Sequence, residues 1–559
     1  MSRRSRNRHV AMEPESDAGT DARQFNRTRA AIILTAQAAA FFVALLLFGW
    51  ITQFGSALIR DPDELYHFHH ALIYGERGLA TGAFPWLTLS VISQYNADLW
   101  YGFHLLIVPF TKGNPIAGLK LATVIVTAAS AAIVWIAVRL SGFRLSFLWP
   151  ILFLFATGFG LSRFYMLRPG VLSMALTCLL LTALYTDRRR LALVVAAAFA
   201  FVHLTVVWLP VAVCIAVALS SRLLESRWRG RVIGWAFTGL ALGAVLRPNP
   251  IGAMHLLYIQ TIGLAIARAS GALPYDVQEM TPLPVAAYHT IGLFTVLLAA
   301  ATAMLLRTIA RKGWRTGLRD QSSFILVTGL FTIAFGLGVV LSAMRCLDQF
   351  HGFGTLYLAA VATVMLHEKT SLSPITRGGA RERMRMPFPL AAVAAAIIAI
   401  GFVATSAPNA FRGDPTEDLN PYKYHDAALW LRTNAPSNCI VFHARWFDFP
   451  LLFFWNDRDR YIGGMDPVFS YYDSPTRTYE YQQFRTDRTG GKILAFPTDR
   501  TGKSVNDALT KDFGASYVLV EPSEQPHLAA ALAADPSATL AFGNDGQSIE
   551  IYSLASTVP

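Results

Sequence analysis

Charge is what this 559-residue chain has least of: 15% of its residues are charged, against about 25% in an ordinary soluble domain, while 53% are hydrophobic. That balance excludes a soluble globular protein. Cysteine is scarce too, at four residues, which excludes a disulfide-stapled scaffold. Cys178 and Cys214 lie in apolar runs, and the apolar neighbours of Cys439 suit a buried strand thiol, although Cys346 and Cys439 share a side where a bond would persist. A nucleophilic triad, a phosphate-cradling glycine loop and a dinucleotide fingerprint are all missing. No small-residue cleavage site follows the first apolar run, so it reads as an uncleaved anchor.

What is present is a series of apolar runs, most near the length that spans a bilayer core, about 17 to 25 residues. They fall at 30–52, 116–140, 147–162, 170–185, 191–205, 206–221, 232–246, 285–306, 324–343, 355–366 and 389–407. The expected fold is therefore mainly α, a polytopic helical domain of about eleven spans at 30–410. Several runs are short, and 191–221 reads as one long helix or two broken ones. Residues 1–29 are polar, basic and Ser-rich, as a disordered tail would be. A Pro-, Asn- and Asp-rich link near 406–421 precedes a change of period, and 411–559 is expected to be a small α/β domain. Its helices are read at 424–434, 476–484, 505–513 and 526–534, and its strands at 439–443, 516–521 and 549–554.

A net charge of +12 invites a nucleic-acid reading, but its distribution argues against one. Basic clusters at 3–8, 139–144, 188–190, 222–231, 307–319 and 377–385 all fall on one side of the expected spans. By the positive-inside rule that side is the cytoplasm. The N-terminus is then cytoplasmic, while the first loop at 54–112, the loops at 163–168, 247–284 and 345–354, and the C-terminal domain lie outside. The expected location is a plasma (inner) membrane.

Four arginines stand on the side where the rule makes them unexpected: Arg163, Arg168, Arg247 and Arg345. A guanidinium that keeps its proton suits a phosphate or diphosphate; a lipid headgroup or a local acid would serve it as well. Opposite them, Asp61-Pro62-Asp63-Glu64 follows the first span. These residues make a capping box, with Asp61 as cap, Pro62 at the first helical position and Glu64 three residues on. They also suit chemistry, because a carboxylate at the water–lipid boundary can take a proton from an acceptor hydroxyl. An interfacial helix with Leu65, Phe68 and Leu72 on one face is expected to follow, with Trp86, Trp100, Tyr101 and Phe103 at headgroup level. A second helix near 99–110 is expected to bring Asp98 to the surface. Among His67, His69 and His70 only the first and last share a helix face, which weakens a zinc reading. A hard divalent cation, Mg or Mn, held by Asp61, Asp63 or Asp98 with a phosphate fits better. His203, beside Thr205, reads as a packing residue.

Asp63-Glu64 with Tyr66-His67-Phe68, the long first loop and Arg345 after a late span resemble the GT-C superfamily of membrane glycosyltransferases. That superfamily includes protein O-mannosyltransferases, lipid A aminoarabinose transferases and oligosaccharyltransferase catalytic subunits. Ala428-Leu429-Trp430-Leu431, Pro436 and the stretch 441–448 resemble the start of the oligosaccharyltransferase soluble domain. Arg445-Trp446-Phe447-Asp448 stands where those enzymes carry Trp-Trp-Asp-Tyr, and this departure leaves peptide recognition without its motif. The resemblance implies a polyprenyl-linked sugar donor, a lipid, glycan or protein acceptor, and a first-loop acid acting as base or metal ligand. The family's second acidic motif has no match. In that reading Asp63 is the base, Asp61 and Glu64 orient it or bind an ion, and Arg168 and Arg345 hold the leaving phosphate. Arg163 and Arg247 support them, and His67, Asp98, Trp446 and Asp448 serve the acceptor or the framework. A transporter or flippase for a lipid-linked substrate, and a non-catalytic partner with a glycan-binding domain, stay open as alternatives.

Overall fold

The computed structural model describes residues 17–80, 83–155, 157, 163–271, 273, 278–313, 318, 321–371, 420–487, 502–544, 546 and 548–555. The expected span at 389–407 and most of the 406–421 link lie outside the described residues. The first helix, α1, runs Asp17–Phe54, and α2, α3 and α4 in the loop behind it run Asp63–Arg77, Val91–Tyr95 and Tyr101–Ile107. Then come α5 (Pro115–Leu140), α6 (Leu148–Phe155), α7 (Pro169–Tyr185), α8 (Arg189–Val202), α9 (Trp208–Leu224) and α10 (Gly230–Val245). Helix α11 (Pro250–Ala269) carries a π-turn at Ile259–Gly263, and α12 (His289–Lys312), α13 (Ser322–Leu341) and α14 (Leu347–Ser371) follow.

Among the described residues seven helices are long and apolar enough to cross a membrane, and shorter apolar helices, including α7 and α10, pack between them. The chain is a multi-pass membrane protein. Five of the seven coincide with expected spans; α14 begins at Leu347, inside the expected 345–354 loop, and α11 falls where the sequence reads as a loop. Asn249 Nδ2 donates to Tyr95 O (2.6 Å), Tyr95 stacks on His255 at 5.0 Å, and Gly263 abuts Tyr472. One half of α11 therefore lies against α3 of the first loop, and its π-turn lies against Pro467–Asp473 of the C-terminal α/β unit. The 191–221 stretch resolves into two helices, broken at His203.

Residues 420–555 form the α/β unit, with α15 (His425–Asn434), α16 (Phe449–Trp455), α17 (Pro467–Asp473), α18 (Pro475–Arg485) and α19 (Pro526–Ala534). Its strands are β1 (Ile440–His443), β2 (Arg460–Tyr461), β3 (Tyr517–Val520), β4 (Ala538–Gly543) and β5 (Glu550–Leu554), in sheet order β2-β1-β3-β5-β4. β1 pairs parallel with β2 and β3, and β5 pairs antiparallel with β3 and β4. The first loop extends this sheet. Leu87 bridges Tyr461 in parallel, Tyr461 N donates to Trp86 O (2.7 Å), and Thr88 N and Leu89 N donate to Tyr461 O and Ile462 O (both 2.8 Å). Leu89 is fully buried in the core of the α/β unit with Phe442, Tyr481 and Val518.

Helix α2 is not interfacial. Its residues from Glu64 to Ala71, with Ile73 and Tyr74, are buried, and Trp86, Trp100, Tyr101, Phe103 and Asp98 are buried as well. The reason is an aromatic layer: Tyr66, His69, Phe84 and Trp86 pack against Phe453, and Phe449 stacks on Phe453. Inside this layer His67 and His104 hydrogen-bond each other (2.8 Å) and His70 bonds Tyr66 OH (3.2 Å). Gly102 lets α4 come close to α8, since a Cβ there would lie 2.7 Å from Phe201 O.

Candidate active site

The expected capping box forms at the start of α2. Asp61 Oδ1 accepts Asp63 N (2.8 Å), and Glu64 Oε1 accepts Asp61 N (3.0 Å) and Arg60 N (2.8 Å). Glu64 Oε2 accepts Leu167 N (2.9 Å), so this side chain braces two loops from below. Burial pushes its carboxyl up to about 7 against those three backbone donors.

Above the brace, side chains from four loops converge. Arg168, preceding α7, donates from Nη2 to Asp61 Oδ1 and Asp63 Oδ2 (both 2.6 Å) and from Nη1 to Glu279 Oε1 (2.8 Å). Its Nε is buried and makes no hydrogen bond. Arg163 donates to Asp348 Oδ1 from Nε (2.8 Å) and to Glu279 Oε1 from Nη1 (2.9 Å), and Arg345 donates to Glu279 Oε2 from Nε (3.0 Å). Glu279 is thus shared by three guanidiniums, which hold its carboxyl well below the usual range although burial opposes them. Burial raises the Asp63 carboxyl above the usual range, partly countered by Arg168 and reinforced by Asp61. Two contiguous cavities open here. One, about 170 Å³, is lined by Asp63, His67, Arg163, Arg168, His203 and Gln260. The other, about 420 Å³, is closed by Trp446, Phe447, Met465, Asp466 and Arg485 from the α/β unit, facing Asp61, Asp63, Gln260 and Arg345.

Behind the smaller cavity runs a buried chain: Asp98 Oδ2 to His104 Nδ1 (2.6 Å) and His104 Nε2 to His67 Nδ1 (2.8 Å). Tyr74 OH (3.0 Å) and Trp100 N (2.8 Å) also donate to the Asp98 carboxylate. A carboxylate only accepts, so His104 Nδ1 donates to Asp98. Burial, then His104 and Arg168, keep His67 from protonating by holding its pKa well below the ordinary value. His70, Asp98 and His104 place three ligand-type atoms within 4.8 Å of one another, a nitrogen-rich set that suits a transition metal more than Mg or Mn. The Asp98–His104 spacing of 2.6 Å is that of a charge-assisted hydrogen bond, shorter than two ligands sharing one zinc would show.

Solved structures share this architecture. The Archaeoglobus fulgidus oligosaccharyltransferase AglB, in complex with an inhibitory peptide and a dolichol-phosphate, superposes with a TM-score of 0.54 at 11% identity, over 93% of this chain and 74% of that one. The A. fulgidus enzyme tethered to an acceptor peptide with an NVT sequon gives 0.51 at 11% identity, over 89% and 70%. ArnT from Cupriavidus metallidurans, bound to undecaprenyl phosphate, gives 0.49 at 13% identity, over 93% and 98%. The chain has the GT-C fold. No family model matches the chain, and no curated protein matches it in sequence.

Within this GT-C framework Asp61, Asp63, Arg163, Arg168, Arg345, His67 and Trp446 line the cavities. Four candidates do not. Glu64 faces backbone donors below them. The Arg247 guanidinium donates to the carbonyls of Asp98 (3.0 Å), Ala244 (3.2 Å) and Ala200, clasping the end of α10. Asp98 anchors the histidine chain. Asp448 is bound to Arg445 by both oxygens (3.1 Å each) and buried beside Glu521. His203 packs as expected, bonded to Ser173 (2.9 Å), and also lines the smaller cavity. Glu279, Gln260 and Asp348 were not foreseen. Asp348 had a signal, three residues beyond Arg345 at a helix start, and Asp466 lay in a turn-rich motif, but Glu279 and Gln260 had none. Cys346 and Cys439 are both free.

Proposed function

We propose that the protein is a glycosyltransferase of the bacterial inner membrane that moves a sugar from a polyprenyl phosphate or diphosphate to a hydroxyl acceptor on the periplasmic side. One observation carries the reading: Arg163 and Arg168 from one loop and Arg345 from another meet at one cavity beside Asp61 and Asp63. That the AglB structure of the same fold holds a dolichol-phosphate supports it. The charge distribution supports a cytoplasmic N-terminus and a periplasmic α/β domain.

In this mechanism the acceptor oxygen attacks the anomeric carbon as the bond from that carbon to the phosphate oxygen breaks. The electron pair leaves with the phosphate, and the acceptor proton passes to Asp63. A single displacement inverts the anomeric centre. Asp63 suits the base role because burial brings its pKa closer to the working pH. Asp61 keeps Arg168 aligned, and the spare Arg168 Nε–H with Arg163 and Arg345 stabilises the developing phosphate charge. Arg168 already bridges Asp61, Asp63 and Glu279, so these carboxylates as arranged do not fit a divalent cation, and no step is routed through one. The test is Asp63→Asn in purified full-length enzyme given polyprenyl-linked sugars. A loss of about a hundredfold or more in transfer is expected; wild-type rates would sink the proposed role.

A further inference from the structure

Two oxygens on the wall of the larger cavity make no hydrogen bond: Asp466 Oδ2 and Gln260 Oε1. Asp466 is 8% exposed. Its Oδ1 caps α17 by accepting Val468 N (3.2 Å), and its Oδ2 stands 3.7 Å from Arg345 Nη1, beyond hydrogen-bond reach. Gln260 sits in the π-turn of α11, the kind of helix irregularity that re-aims a side chain at functional sites. Next to Asp466, Met465 holds a left-handed backbone (φ 63°), a conformation that non-glycine residues adopt where surroundings enforce it. Both spare oxygens are acceptors, so whatever completes this wall brings O–H or N–H donors. The same cavity carries an aromatic pair: Trp446 and Phe447 stand perpendicular, 5.8 Å apart, with the Arg445 guanidinium over the Phe447 ring at 5.0 Å. Asp448, the nearest acid in sequence, is spent on Arg445 and offers nothing to a ligand.

Building on the transferase reading, we propose that Trp446, Gln260 and Asp466 form an acceptor subsite for a sugar ring. The ring's C–H face lies on Trp446, and its hydroxyls donate to Gln260 Oε1 and Asp466 Oδ2. The acceptor is a carbohydrate. A sugar matches this wall because it joins an apolar ring face to several hydroxyl donors a few ångströms apart. A peptide backbone would bring its N–H donors interleaved with carbonyls, and those carbonyls would face Gln260 Oε1 and Asp466 Oδ2, which are acceptors themselves.

The experiment uses full-length protein in lipid nanodiscs without donor. Methyl glycosides of glucose, galactose, mannose and rhamnose, and disaccharides of each, are titrated by intrinsic tryptophan fluorescence beside a Ser/Thr-containing hexapeptide and undecaprenyl phosphate. At least one saccharide is expected to bind saturably, about tenfold more weakly in Gln260→Leu and Asp466→Asn. Asn still caps a helix, so the second variant keeps α17. Trp446→Leu, followed by calorimetry, is expected to lose binding. Absence of saccharide binding, binding that the three variants leave unchanged, or binding of the peptide alone would each overturn the proposal. Competition by a polyprenyl-linked sugar, but not by undecaprenyl phosphate, would assign the subsite to the donor's sugar and overturn the acceptor assignment. Undecaprenyl phosphate binding without saccharide binding would fail this subsite alone; loss of both would fail the transferase reading.

Discussion

Replacing Arg168 by lysine tests the centre of the site while keeping its charge. The arginine fork serves Asp61, Asp63 and Glu279 at 2.6, 2.6 and 2.8 Å and still holds Nε–H in reserve. A lysine ammonium presents one compact point of charge, which can meet the aspartates or Glu279 but not span them, and it has no second donor set for an incoming phosphate. One lost charge-assisted hydrogen bond to the phosphate amounts to about 1.5–3 kcal/mol, or roughly a 10- to 100-fold rise in Kd. The side chain is only 21% exposed, so solvent screens little of this. Arg168→Met goes further and leaves three carboxylates without their shared cation, a change of about 3–5 kcal/mol in stability. Undecaprenyl phosphate binding in nanodiscs, measured alongside thermal unfolding, separates the two effects. Arg168→Lys is expected to weaken binding with a modest loss of thermal stability. If its affinity stays within twofold of the parent while stability drops, the fork is only a fastener and the arginine cluster is no phosphate site.

The acid limb of kcat/KM is expected above the ordinary aspartate range, because Asp63 must be ionised to act and burial raises its pKa; removing Arg168's opposing pull in Arg168→Met should move the limb higher still. A limb at or below the ordinary range would refute this. Glu64 titrates near 7 in the folded chain against 4.5 for an ordinary glutamate, so folding favours its proton. Its contribution is present below about pH 4.5 and is lost as pH rises through 7, a fall of about 3 kcal/mol that Glu64→Gln should flatten in unfolding measured from pH 4.5 to 8. An unchanged slope in the variant would remove Glu64 as its source. Leu89→Ala should cost about 2–5 kcal/mol in the core of the α/β unit although the residue belongs to the first loop, and Thr88→Pro deletes a ladder donor at 2.8 Å. Faster proteolytic release of residues 420–555 in both variants would show it, and wild-type cleavage rates would deny the strand its role.

How much of this was legible in the sequence depended on whether the signal was local. Charge asymmetry and apolar run length are local, and together they picked out the loops that now meet at one face, with Arg163, Arg168 and Arg345 among them. Alternating and helical periods in the C-terminal domain located β1, β3, β5, the helices α15, α18 and α19, and the helical turns at 505–512 within a residue or two, because each buries one face of an element against a single core. β4 escaped because its six residues hold one β-branched side chain, Thr539, among two alanines, a leucine, a phenylalanine and a glycine. The Leu87 bridge escaped for a different reason: a strand of one or two paired residues has no period at all, and its existence depends on the edge that β2 offers it. The same distinction explains the side chains. A capping box is written in four consecutive residues and formed as expected. Arg247 and Arg168 look alike in sequence, each a single arginine at a helix end beside a proline, yet one clasps the backbone carbonyls of α8 and α10 and the other faces a cavity. What separates them is the partner each finds across the fold. For Arg168 that partner is Glu279, in a three-residue 3-10 turn with no local signature, so the residue that organises the cluster was the one the sequence was least able to show.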